Sequence, residues 1–97
     1  MISTYNSLSL DTKVAVNNAS VKVIPANGRR VYAMIRNVSG VNMWLGKGQA
    51  AVIGNGHLLR PGEWYEINVN SNPFVGHLYA IMETAGAVNQ PVEEAIN

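Results

Sequence analysis

Apolar positions in this chain alternate with polar or aromatic ones in short bursts, and each burst is closed by Gly, Asn, Pro or Ser. The pattern is densest over residues 21–69. A period of two marks half-buried strands, and closely spaced turn residues mark tight connections between them. The clearest strand is predicted over 30–38, with Val31, Ala33 and Ile35 on one face and Tyr32, Met34 and Arg36 on the other. Ser39-Gly40 predicts a tight hairpin into 41–46, where Val41, Met43 and Leu45 alternate with Asn42 and Trp44.

The same reading predicts strands over 13–17, 21–24, 57–59, 63–70, 74–83 and 87–93. Pro91 favours an edge position for the last of these. Arg60-Pro61-Gly62 predicts a type II turn, and Gly46-Lys47-Gly48 and Gly54-Asn55-Gly56 predict sharp changes of direction. About eight short strands and no amphipathic helix imply an all-β fold. The expected architecture is an antiparallel β-sandwich of jelly-roll or immunoglobulin-like type. Residues 13–93 form its single domain, residues 1–12 an extended N-terminal arm, and residues 94–97 a short polar tail.

The faces change the picture more than the strands do. One side of each strand is aliphatic and suits a core between two sheets. The opposite side carries Tyr32, Met34, Trp44, Trp64 and Tyr79, where a solvated sheet face would be mostly charged or small and polar. Aromatic residues, Met and Arg are what interface centres enrich. Composition agrees: of 97 residues, 47% are hydrophobic and only 13% charged, so part of the surface is expected to face another protein.

A net charge of +1, with basic residues scattered along the chain, offers no stripe for nucleic acid. The absence of cysteine excludes disulfides, thiolate metal sites and a cysteine nucleophile. No apolar run approaches the ~20 residues of a membrane span, and MISTYNSLSLDTK lacks the layout of a signal peptide. The chain therefore reads as soluble, with no membrane partner.

Candidate chemistry is sparse. His57 and His77 have no Asp, Glu or His at ligand spacing, so no metal is expected. Glu63 and Glu66 are three apart in a strand and point to opposite faces, so they cannot flank one glycosidic bond. No serine elbow, phosphate loop or dinucleotide fingerprint is present. Asn18-Ala19-Ser20 and Asn37-Val38-Ser39 match the glycosylation pattern, but a chain without a secretory signal would not meet that machinery. No catalytic residue and no cofactor is expected, and the protein is read as not an enzyme.

The order of turns and strands over residues 21–92 resembles a group of small virion proteins from tailed bacteriophages. The resemblance is carried by Ile24-Pro25-Ala26-Asn27, the strand from Arg29 to Asn37, and Trp44-Leu45-Gly46. It continues through Leu59-Arg60-Pro61-Gly62-Glu63-Trp64-Tyr65 and Gly76-His77-Leu78-Tyr79-Ala80-Ile81. The ending departs from the usual Val-Thr-Glu, reading Pro91-Val92-Glu93-Glu94. The resemblance implies a capsid decoration (cement) protein, or alternatively a head or tail fibre module that recognises a host-surface glycan. It further implies a place on the virion surface after synthesis in the bacterial cytoplasm. The partners expected are the major capsid protein and other copies of this chain, as a trimer. The interface residues expected are Tyr32, Trp44, Trp64 and Tyr79, with Ile2, Tyr5 and Leu8 in the arm.

Overall fold

The computed structural model describes residues 8–97, with side chains from residue 11 onward. Eight strands form two four-stranded antiparallel sheets: β1 (Leu8–Val16), β2 (Val21–Ile24), β3 (Arg30–Arg36), β4 (Met43–Lys47), β5 (His57–Leu59), β6 (Trp64–Asn68), β7 (Leu78–Met82) and β8 (Val88–Ile96). No helix occurs among the described residues. The first sheet has the order β1-β8-β3-β6 and the second β2-β7-β4-β5.

This order decides between the two sandwich types. β1 pairs with β8, β2 with β7, β3 with β6, and β4 with β5. The chain is thus folded in half, first strand to last, and rolled so that β8 also meets β3 and β7 also meets β4. That is the connectivity of a jelly roll. An immunoglobulin-type sandwich pairs several consecutive strands, whereas here β4 and β5 alone are both consecutive and paired.

The core lies between the sheets, as the aliphatic faces require. The first sheet supplies Val16, Ala33, Ile35, Ile67 and Val92, and the second Val23, Ile24, Met43, Leu45, Leu59, Leu78, Ala80 and Met82. The type II turn forms as the sequence predicts. Glu63 N–H donates to the Arg60 carbonyl at 3.0 Å, and Gly62 holds φ 87°.

Several expectations are corrected by long-range contacts. Residues 39–40 are no hairpin, because β3 and β4 lie in different sheets. A buried polar knot turns the chain there. Asn37 Nδ2 donates to the carbonyls of Val41 (2.8 Å) and Leu59 (2.9 Å), while its Oδ1 accepts from Ser39 and Gln90. Asn37 and Gln90 are fully buried, so their hydrogen bonds must be met inside the protein. This burial also removes Asn37 as a glycosylation acceptor.

Residues 74–77 are loop rather than strand. The Phe74 and Gly76 carbonyls accept from Arg30, which is itself buried, while those of Val75 and His77 accept from the Asn27 and Gly48 N–H groups. Arg30 Nη1 donates to Phe74 O (2.9 Å) and Gly76 O (3.1 Å), Nη2 to Pro25 O (2.6 Å), and Nε to Glu94 Oε2 (2.7 Å). A planar guanidinium supplies these fixed directions where a lysine could not.

The sandwich also extends past both expected boundaries. β1 begins at Leu8, so residues 8–12 are sheet rather than free arm, and β8 continues to Ile96 through the expected tail. Each stretch supplies the other's backbone partners. β8 is an inner strand despite Pro91. The ladder to β3 stops at Ile35–Val92, so Pro91 has a strand partner on the β1 side alone, where it lies opposite Lys13. One position earlier the Gln90 side chain accepts the Val38 N–H at 2.7 Å in place of a strand.

Candidate interface surfaces

The outward aromatics fall on two faces on opposite sides of the sandwich. Tyr32 and Trp64 belong to the first sheet, Trp44 and Tyr79 to the second. No flat partner can cover all four at once. Ile2 and Tyr5 lie outside the described residues, and Leu8 opens β1 opposite Ile96.

On the first sheet, register makes the neighbours. Arg36 lies opposite Trp64, Met34 opposite Glu66, and Tyr32 opposite Asn68. The Arg36 guanidinium carbon sits 5.4 Å from the Trp64 ring centroid, a cation–π contact. Tyr32, Met34, Arg36 and Trp64 together line a shallow hollow of about 190 Å³. Trp64 remains 56% exposed, so most of its indole is still in water. It also borders a groove of about 410 Å³ between the β5 and β6 edges, lined by His57, Leu58, Leu59, Arg60 and Glu63. One side chain therefore commands both the sheet face and its edge.

Carboxylates share this face. Across the sheet, Asp11 lies opposite Glu93, Glu93 opposite Met34, and Met34 opposite Glu66. The pKa of Glu93 is raised by partial desolvation, and then by the hydrogen-bonded, negatively charged Asp11 beside it. That of Tyr32 is raised by desolvation first and by the charges of Glu66 and Glu93 second. The surface is amphipathic: apolar and aromatic centre, charged surround.

The second sheet's outer face is built differently. Trp44 lies opposite Ile81 on one side and Leu58 on the other, and all three are half-buried. The Trp44 indole N–H donates to Glu83 Oε2 at 2.7 Å, so its polar handle is satisfied within the chain. Tyr79 lies opposite Gly46 and stands edge-on to His77, with ring centroids 6.3 Å apart. The loop over residues 48–56 folds back across Gly46. A Cβ at that position would sit 2.6 Å from the Gln49 carbonyl oxygen and 3.0 Å from Ala51 Cα. Ala51 is buried there, and its N–H donates to Ser20 Oγ at 2.8 Å. The chain covers part of this face itself.

The histidines are accounted for locally. His77 Nδ1 accepts the Ala26 N–H at 2.8 Å, and His57 packs on Tyr65 with ring centroids 4.6 Å apart. Among the described residues, no group of three or more His, Asp or Glu could hold a metal ion.

Sequence reasoning found the aromatics but missed the acidic row of Asp11, Glu66 and Glu93, and the apolar flanks Leu58 and Ile81. No local signal marks them, because strands distant in sequence bring them together. Compared with models of protein families, with curated proteins and with solved structures, the chain matches none.

Proposed function

We propose that this protein is a structural component of a tailed-bacteriophage particle that decorates the outside of the head shell and stabilises it by adhesion. The observation that carries this reading is the open face of Tyr32, Met34, Arg36 and Trp64, whose exposed indole is ringed by polar groups. Fully burying such a side chain is worth about 1.5–3 kcal/mol, and a central aromatic–arginine pair is typical of binding hot spots. The low charge content, the jelly-roll connectivity and the turn motifs of residues 21–92 support the same reading. The partner is the major capsid protein, and many identical copies would supply avidity.

The test is addition of the purified protein to emptied capsids. Saturation at high copy number with a raised capsid melting temperature is expected. Failure to bind capsids would overturn the proposal. A second reading has its own support: an indole exposed beside Arg36 and a row of carboxylates can stack on a sugar ring while neighbours hydrogen-bond its hydroxyls. A fibre or tail module of that kind would bind host polysaccharide and leave emptied capsids unchanged.

A further inference from the structure

Among the described residues, β1 has a strand on one side alone, where it borders β8. It is nine residues long, whereas the other edge strands β2, β5 and β6 have four, three and five. A long free edge exposes backbone N–H and C=O groups that another strand can complete, and short edges recruit poorly. Asp11, Thr12 and Lys13 are all exposed along it. Asp11 and Lys13 lie two apart, so both project to the outer face of the sheet, with Thr12 between them on the other side.

We propose that β1 pairs antiparallel with β1 of a second copy about a two-fold axis at Thr12, joining two four-stranded sheets into one continuous sheet across a dimer. The charges select this register. With Thr12 opposite Thr12, Asp11 faces Lys13 of the second copy and Lys13 faces its Asp11, giving two symmetric opposite-charge pairs on the outer face. Moving the axis one residue either way sets Asp11 against Asp11 or Lys13 against Lys13. Like charges directly opposite are destabilising, and a two-fold axis normal to the sheet keeps each residue's face unchanged. The interface is isologous and closes on two copies, so it takes the place of the trimer expected from the resemblance. It involves the edge of the first sheet and leaves the Trp64 hollow open.

The test is sedimentation velocity on the full chain. The wild type is expected to dimerise at concentrations of about 100 µM or below, within the range of transient interfaces. Asp11→Lys and Lys13→Asp each set like charges opposite one another, and each should weaken dimerisation by about tenfold or more. An equimolar mixture of these two variants should restore the dimer, because every introduced charge then faces its opposite. The double exchange D11K/K13D should dimerise like the wild type, and it also serves if a single variant folds poorly. A monomeric wild type, single variants that dimerise undiminished, or a mixture that stays monomeric would each overturn the proposal. Trp64→Ala should leave dimerisation unchanged, which separates this result from any failure of capsid binding.

Discussion

The two outer faces of the sandwich carry the same sequence pattern, yet they end up as different surfaces. On the second sheet Trp44 is flanked by Leu58 and Ile81, hydrogen-bonded to Glu83, and adjoined by a loop that the chain lays over Gly46. On the first sheet Trp64 touches Arg36 across the strands and otherwise faces water at 56% exposure. An outward aromatic is a docking group only where its own chain leaves it unfinished. The lesson is about accounting for partners: the indole whose polar handle and flanks are satisfied contributes to stability, and the open one is available for binding.

The largest effect is expected at the loop that covers the second sheet. Gly56 adopts φ 89°, and a Cβ there would run into the Leu45 carbonyl oxygen. Gly56→Ala should therefore cost on the order of 3 kcal/mol, from backbone strain plus the clash. Thermal unfolding measures it, and a melting temperature equal to that of the wild type would show that the loop is not held against β4.

Trp44→Ala comes next. Loss of half-buried apolar area and of the indole hydrogen bond should cost about 1–2 kcal/mol. Glu83→Gln, which keeps an acceptor but removes its charge, should cost less than 1 kcal/mol. Denaturant titration of the two variants would sharpen the assignment of Trp44 to stability.

Trp64→Ala is expected to do the opposite. Its effect on stability should stay within about 0.5 kcal/mol, as for other exposed substitutions. Binding to emptied capsids should fall by tenfold or more, the loss of about 1.4 kcal/mol or above that marks a binding anchor. A variant that is clearly destabilised, or that binds undiminished, would erase the contrast between the faces.

The smallest effect concerns the carboxylates around the open face. The raised pKa of Glu93 means that the folded protein holds this proton more tightly than the unfolded chain. The stability it contributes is fully present below the unfolded carboxylate pKa and is lost as pH rises through the folded value. Glu93→Gln should remove that slope, so the variant gains relative to the wild type as pH rises above the ordinary carboxylate range of about pH 4. Melting temperatures measured across that rise test the sign. A wild type that gains relative to the variant as pH rises would contradict it.

Much of the fold was legible locally. Alternation put Ala33, Ile35, Met43, Leu45, Leu78, Ala80 and Met82 in the core, where the structure buries them. Turn chemistry marked residues 60–63 correctly, because Pro at the second position and Gly at the third suit that geometry whatever surrounds them. The Ser39-Gly40 turn departs from the local hairpin signal because its course is set by Asn37, whose partners include Leu59 and Gln90. Arg30 looked like one of several scattered cations, yet it is the buried anchor for three carbonyls and Glu94. Pro91 looked like an edge signal, and it proved compatible with an inner strand because the β3 ladder ends one residue away.

By itself, the sequence determined that the chain forms short strands joined by tight turns and, within the clearest of them, which residues face outward. Both follow from steric preferences and a period of two that act over a few neighbouring residues. The tertiary structure alone decided which strands lie side by side. It thereby separated Trp44 and Tyr79 from Trp64 and Tyr32, and set Asp11 beside Glu93. Pairing the first strand with the last depends on a common core and on buried hydrogen bonds that span most of the chain. No local pattern encodes that order, so the character of each face became visible only once the sandwich was closed.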